Sequence, residues 1–176
     1  MTQRIPTMAF VCRQGDETPE AGGCPIGGEF VLRTSTQLFD NQRVIVFSLP
    51  GAFTPTCSTY QLPGFEKQFA AFQSQGIDAI YCVSVNDAFV MNEWARALGI
   101  THIQVLPDGN GDFTRSMGML IDMTQIGFGH RSRRYAMVVN NGTVERMFVE
   151  PAADSTYPDP YGQSSPETVM AYLKTV

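Results

Sequence analysis

No two of the chain's four cysteines are spaced Cys-x-x-Cys, which removes the dithiol oxidoreductase and zinc-knuckle readings. Four cysteines in 176 residues are also too few for a disulfide scaffold. Histidine is scarce: His102 and His130 stand alone, with no second ligand at metal spacing, so neither a metal nor any other cofactor is expected. Positive charge is in deficit, with 12 Lys and Arg against 17 Asp and Glu. A net charge of −5 argues against a nucleic acid or an anionic membrane surface as partner. The apolar runs are strand-sized, so none can span a bilayer. The amino-terminal Met-Thr-Gln-Arg-Ile-Pro lacks an apolar signal core, and a cytoplasmic protein is the expectation. Repeats, charge blocks and low-complexity tracts are missing too. What remains is 43% hydrophobic and 16% charged over 176 residues, the composition of one globular domain, 1–176, with a full core.

Along the chain, residues 12–28 (CRQGDETPEAGGCPIGG) are polar and rich in Gly and Pro, which predicts a loop or hairpin connection. Glu29 to Arg33 fits a strand, Thr34 to Phe39 one helical turn, and Val44 to Leu49 (VIVFSL) a strand. After Cys57 a helix is expected to about Gln75, its core face carried by Phe65, Phe69 and Phe72. Pro63 inside that span predicts a kink near Gln61. Ile77 to Val85 (IDAIYCVSV) has the composition of a buried strand. Asn86-Asp87 then caps a helix over Ala88 to Leu98, with Val90, Trp94 and Leu98 on its core side. Ile103 to Leu106 is a short strand before a Pro107–Gly111 turn, and a helix follows over Asp112 to about Leu120. Met117, Met119 and Met123 read as packing residues around it, with a sacrificial role under oxidants as the second reading. Asn141-Gly142 between Tyr135–Val139 and Val144–Val149 is the strongest hairpin signal. Ser164 and Glu167 stand at capping-box spacing ahead of a carboxy-terminal helix. Strands alternating with helices and closing on a hairpin predict an α/β fold with a central mixed sheet flanked by helices.

The stretch that attracts chemistry is Pro50-Gly51-Ala52-Phe53-Thr54-Pro55-Thr56-Cys57-Ser58. It follows a strand and opens a helix, with Thr54 as the expected N-cap, Pro55 as the first helical residue and Cys57 in the first turn. A cysteine there lies among unpaired N–H groups at the positive end of the helix dipole, where a thiolate is favoured over a thiol. By position alone, a buried structural cysteine fits as well.

Pro50-x-x-x-Thr54-x-x-Cys57 resembles the active-site signature of the peroxiredoxins. Leu62-Pro63-Gly64-Phe65, Ser84 through Val90 (SVNDAFV), Trp94, the Pro107–Gly111 turn with Phe113, and Arg134 through Val139 (RYAMVV) extend the likeness to the type II, peroxiredoxin-five-like subfamily. Residues 27–176 also resemble the peroxiredoxin half of bacterial peroxiredoxin–glutaredoxin hybrids. The resemblance implies a thioredoxin-like fold and a peroxidase that reduces hydrogen peroxide and small alkyl hydroperoxides. It implies Cys57 as the peroxidatic cysteine, Thr54 as the peroxide's hydrogen-bond partner, Pro50 as a shield over the pocket and Arg134 as the active-site guanidinium. Strand alternation alone does not choose among Arg131, Arg133 and Arg134. Gly51 and Phe53 would line the pocket, Phe53 doubling as a contact in an implied homodimer. Gln61 stands where relatives commonly carry histidine; four residues from Cys57 it shares the same helix face, but it supplies neither proton nor charge.

Ionisation alone does not make such a site efficient. A thiol of pKa about 8.5 is already about 3% thiolate at pH 7, so full ionisation gains roughly thirtyfold, about 2 kcal/mol. A lower pKa also weakens the nucleophile. The larger contribution must be stabilisation of charge on the leaving oxygen, each aimed donor being worth about 2–4 kcal/mol. Recycling is less legible. Cys82 reads as an inert buried thiol, and some relatives have a resolving cysteine assigned at its strand position. Cys12 and Cys24 read either as incidental thiols in a flexible insertion or as accessory resolving residues. With no cysteine after Cys82, the expectation is a one-cysteine cycle with an external thiol: glutathione with glutaredoxin, or thioredoxin. The second functional class is a peroxide sensor signalling through Cys57 oxidation to a partner protein.

Overall fold

The computed structural model describes residues 3–151 and 159–176. Residues 1–2 and 152–158, which fall within the expected 1–176 domain, lie outside the described residues. Strands β1 (Ala9–Glu17) and β2 (Ile26–Thr34) form an antiparallel hairpin, followed by α1 (Ser35–Phe39) and β3 (Arg43–Ser48). A π-helical turn, Cys57–Gln61, leads into α2 (Leu62–Lys67) and α3 (Phe69–Gln73). Then come β4 (Ala79–Ser84), α4 (Ala88–Ala97), β5 (Gln104–Pro107) and α5 (Asp112–Ser116). A small ribbon of β6 (Leu120–Asp122) and β7 (His130–Ser132) precedes the hairpin of β8 (Tyr135–Asn140) and β9 (Thr143–Val149), and α6 (Pro166–Leu173) closes the chain.

The main sheet runs β5-β4-β3-β8-β9, with β3, β4 and β5 parallel and β8 antiparallel to both β3 and β9. Its three central strands are buried on both faces, so they read as unbroken apolar runs rather than alternating ones. Side-chain alternation nevertheless splits the core in two. Ile45, Phe47, Ile80, Cys82, Ala136 and Val138 pack with Phe65, Phe72, Met91, Trp94, Val169 and Leu173 from the helices on one face. Val44, Val46, Tyr81, Val83, Met137 and Val139 pack with Leu38, Phe39, Phe113 and the hairpin's Phe10 on the other. This is the α/β, thioredoxin-like arrangement of a central mixed sheet flanked by helices that the sequence led us to expect.

Four local differences have physical causes. Residues 12–28 take the hairpin alternative, and its strands reach further into the stretch than its Gly and Pro content suggests. Residues 12–17 and 26–28 are strand, in a ladder in which Cys12 pairs with Val31 and Arg13 with Phe30. Gly28 is left out of the register at φ +57°, where a Cβ would stand 2.4 Å from Asp16 Oδ1 and 2.7 Å from the Gln14 carbonyl. After Cys57 the chain makes a π turn rather than a simple kink, the Leu62 N–H reaching back to the Cys57 carbonyl. Pro63 has no N–H to give and its ring would crowd the carbonyl four residues back, so the wider turn accommodates it. The helix expected to about Leu120 stops at Ser116, and the chain enters β6, so Met119 and Met123 are not helical. The carboxy-terminal cap is Ser165, whose hydroxyl accepts from Thr168 N–H; Ser164 instead gives its hydroxyl to Glu150.

Glu66 of α2 secures the approach to β5. Its carboxylate accepts from the Thr101, His102 and Ile103 N–H groups and the Thr101 hydroxyl, with the His102 ring at 2.7 Å. Partial burial works against the ionised form, but the backbone donors of Thr101 and Ile103 more than offset it and bring the pKa down to about 2. A depressed carboxylate pKa gives stability that is complete above the unfolded value, about 4.5, and lost as pH falls through about 2. Glu66→Gln is therefore expected to lower the unfolding midpoint at neutral pH, and the gap from wild type should close on acidification. A gap that stays constant down to about pH 2 would show that the contact does not depend on the charge.

Candidate active site

Cys57 lies beyond the carboxyl end of β3, in the first turn of the helical segment, and is fully buried. The Ser58 N–H bonds the Thr54 carbonyl, so the helix starts where expected. The loop before it is clipped at several points. Ala52 N–H and the Ser84 hydroxyl both donate to Asn86 Oδ1, tying the loop to the end of β4. The Trp94 indole N–H donates to Ser58 Oγ at 2.9 Å from the facing helix α4. At Gly51 a Cβ would meet Arg131 Nη1 at 3.0 Å and Thr54 Cγ2 at 3.3 Å, so a larger residue there would press on the Arg131 guanidinium and the Thr54 methyl. Phe53 sits at φ +59°, an αL conformation that non-glycine residues rarely adopt.

The three arginines before β8 go to three places. Arg131 donates to the Phe128, Pro50 and Val85 carbonyls and holds the loop from outside. Arg133 donates to the Glu150 carbonyl. Arg134 alone reaches the sulfur: its Nη1 and Nη2 stand 3.5 and 3.4 Å from Cys57 Sγ. Register explains this, because Tyr135 pairs with Ser48 at the end of β3, so the residue just before Tyr135 lies beside the loop that carries Cys57.

The guanidinium is itself fixed. Nη1 also donates to Gln61 Oε1 at 2.6 Å and Nη2 to Asp159 Oδ1 at 2.6 Å, both shorter than a typical neutral bond. Burial alone would lower the Arg134 pKa, but the Cys57 sulfur and the Asp159 carboxylate outweigh it, and the guanidinium is held charged more firmly than usual. Gln61 is fully buried; its Nε2 faces Ser164 Oγ at 3.4 Å, and Ser164 donates to Glu150. The Glu150 carboxylate gathers the Gly162 and Ser164 N–H groups and so anchors the segment that carries Asp159 and Tyr161. The Tyr161 ring lies 5.9 Å from the Arg134 guanidinium carbon, and its hydroxyl pKa is pushed up to about 12, chiefly by burial. Among the described residues Arg134 Nε is buried with no hydrogen-bond partner, a spare donor beside the sulfur.

Thr54 differs from the expected cap. Its hydroxyl donates to the Gly51 carbonyl at 2.7 Å, and a carbonyl can only accept, so the Thr54 proton is committed within the loop. Its lone pairs are what a substrate can meet. Pro50 is buried above β3. Phe53 is 59% exposed and, with Cys24, Phe89 and Val90, lines an open apolar groove of about 600 Å³.

The other cysteines fall in three settings. Cys82, on β4, belongs to the same core cluster as Cys57 and, like it, is fully buried. Burial and then the neighbouring Cys57 raise its pKa well above the ordinary value, with Arg134 opposing weakly. Cys12 lies in strand β1 rather than a flexible stretch and packs into the cluster on the opposite face of the sheet from Cys57. Cys24 is exposed at the hairpin end. Asp159, Glu150 and Ser164 escaped the sequence reading as site residues. Asp159 is 25 positions from Arg134, and its only local signal is the turn composition of Tyr157-Pro158-Asp159-Pro160-Tyr161-Gly162.

A strand-to-helix loop that buries a cysteine under an immobilised arginine, on a thioredoxin-like sheet, defines a thiol-based redox protein. Comparison with known proteins narrows this. The Redoxin family profile matches residues 14–160. Peroxiredoxin y4vD of Sinorhizobium fredii is 51% identical over 174 residues, 98% of this chain and 91% of that protein. Hybrid peroxiredoxin hyPrx5 of Haemophilus influenzae is 46% identical over 97% of this chain, which covers 65% of the hybrid. The crystal structure of reduced Prx3 in complex with H2O2 from Vibrio vulnificus superposes with a TM-score of 0.84 at 35% identity, over 98% of this chain and 94% of that one. The chain belongs to the peroxiredoxins, and is a thiol-dependent peroxidase.

Proposed function

We propose that Cys57 is the peroxidatic thiol, that Thr54, Arg134 and Pro50 form its pocket, and that an external thiol recycles it. The observation that carries this is the pair of Arg134 nitrogens at 3.5 and 3.4 Å from Sγ, in a guanidinium whose remaining Nη protons are taken by Gln61 and Asp159. A thiolate lone pair attacks one peroxide oxygen and forms the S–O bond. The O–O bond breaks, its electron pair leaves on the distal oxygen, and that oxygen takes up a proton to become water or an alcohol. Sulfur is oxidised by two electrons and the peroxide reduced by two. Arg134 Nε and the two Nη protons that face Sγ supply donors for the departing charge. Thr54, its own proton donated to Gly51, accepts a hydrogen bond from the peroxide hydroxyl and orients the O–O bond.

The sulfenic acid then condenses with a small thiol, releasing water, and a second thiol frees Cys57 as a disulfide departs. Glutathione with glutaredoxin is the reductant we favour over thioredoxin, supported by the hybrid relative. Against an internal partner stand the raised pKa of Cys82, the placement of Cys12 beyond the sheet, and the exposed position of Cys24. We place the protein in the reducing cytoplasm and as a homodimer across the face that carries Phe53 and Phe89, 59% and 38% exposed. Intact mass spectrometry after one equivalent of peroxide is expected to show one added oxygen mapped to Cys57, and a glutathione adduct there when glutathione is present. A loss of two hydrogens mapped to Cys57–Cys82 or Cys57–Cys24 would overturn the one-cysteine cycle.

A further inference from the structure

Arg134 is a charge that the fold has taken out of water: its side chain is 2% exposed. A buried charge left without a counter-charge costs several kcal/mol. Among the described residues two anionic groups touch it, the Cys57 sulfur and the Asp159 carboxylate at 2.6 Å. Gln61 bonds it but carries no charge. Glu150 reaches it only through Ser164 and Gln61, its oxygen already bonded to Gly162 N–H, Ser164 N–H and the Ser164 hydroxyl.

The peroxidase step, on which this inference rests, moves the negative charge off the sulfur. Cys57 enters as thiolate. The proximal oxygen keeps its proton in the sulfenic acid, and the distal oxygen leaves with the electron pair and takes a proton from solvent. Condensation with a small thiol then leaves Sγ in an uncharged disulfide. One of the two counter-charges of Arg134 therefore vanishes in every turnover. While the thiolate is present, Asp159 competes with it for the guanidinium, so ground-state attraction for the thiolate does not explain the carboxylate. We infer that Asp159 is a positioning residue, the permanent counter-ion that holds the buried Arg134 in place while Cys57 is uncharged. Its side chain is only 15% exposed, buried enough for the pairing to count.

The inference separates charge from mere tethering. Asp159→Asn keeps the shape and an oxygen acceptor but removes the charge. Thermal unfolding under reducing conditions at mildly alkaline pH would compare wild type, Asp159→Asn, Cys57→Ser and the double variant. Serine at 57 imitates a neutral residue permanently. The Asp159→Asn substitution is expected to lower the midpoint by about 5 °C more in the Cys57→Ser background than with Cys57 present. Asp159→Glu, with the charge on a longer arm, should recover most of that drop. Equal drops in the two backgrounds would overturn the inference and leave Asp159 as an ordinary tether. If the double variant does not fold, oxidation provides the comparison. Conversion to the sulfenic acid should lower the midpoint of Asp159→Asn by more than it lowers that of wild type, and equal losses would again overturn it. Failure of wild type to form a sulfenate at Cys57 would defeat the proposed role of Cys57, whereas sulfenate formation with an additive cycle would defeat the Asp159 inference alone.

Discussion

Replacing Arg134 with methionine is expected to lower the second-order rate constant for hydrogen peroxide by about 10³-fold, the upper range for removing one preorganised donor from a site of developing charge. The loss has two sources with different ceilings. One is the fraction of Cys57 present as thiolate, and for a thiol with ordinary acidity that fraction accounts for no more than about thirtyfold at pH 7. The other is the charge that moves to the leaving oxygen, which methionine cannot meet. Stopped-flow measurement in alkaline buffer separates them, because there even an unperturbed thiol is ionised. The deficit should shrink by no more than the ionisation factor and remain at about thirtyfold or above. Complete recovery at alkaline pH would reduce Arg134 to a thiolate stabiliser and sink the leaving-group argument. Arg134→Lys should fall between, since one ammonium cannot reach Cys57 Sγ, Gln61 Oε1 and Asp159 Oδ1 with the geometry of a planar fork.

What the residues disclosed in advance followed from how local each signal is. Val44–Leu49, Ile77–Val85 and the Asn141-Gly142 hairpin are continuous apolar or turn signals, and each became part of the main sheet. The π turn was half legible: Pro63 announced a distortion, but whether a helix kinks or widens depends on the packing of Leu62 and Phe65 beneath it. Strand β1 was half legible: the Gly- and Pro-rich stretch offered a loop or a hairpin, and the extent of the strand depends on a ladder whose partners lie 9 to 25 positions away. The outer residues of the site were hidden for the same reason. Glu150 is set beside Arg134 by the β8–β9 hairpin, its N–H bonding the Arg134 carbonyl. Asp159 and Ser164, by contrast, reach Arg134 and Gln61 only when the segment leading into α6 packs there, and nothing in their own neighbourhoods encodes a guanidinium. Strand alternation could not choose among Arg131, Arg133 and Arg134; the family resemblance pointed to Arg134, and the physical reason for its position is the Ser48–Tyr135 register, a tertiary fact. Thr54 was placed correctly as the residue before the helix, but its hydroxyl serves the loop rather than the helix, because Gly51 turns its carbonyl inward within reach.

That hydroxyl carries the second large effect. Thr54→Val preserves shape and β-branching while removing both the proton given to Gly51 and the lone pairs offered to the peroxide. The half-buried Gly51 carbonyl would lose its partner, which costs about 1–3 kcal/mol when water cannot substitute, and the substrate would lose the acceptor that aligns its O–O bond with Sγ. The expected result is about a 10²-fold lower rate constant with hydrogen peroxide, together with a modestly lower unfolding midpoint. Thr54→Ser keeps the hydroxyl at the same reach and should hold the rate within about tenfold of wild type, the remainder reflecting a methyl no longer packed against Gly51. The pair distinguishes alignment from loop integrity. If valine lowered the midpoint but left the rate near wild type, the Thr54–Gly51 bond would be structural and the peroxide would find its acceptor elsewhere. If serine fell as far as valine, packing of the threonine methyl, not hydrogen bonding, would set the geometry. Only loss with valine and retention with serine fits a hydroxyl whose proton is spent inside the loop and whose lone pairs meet the substrate.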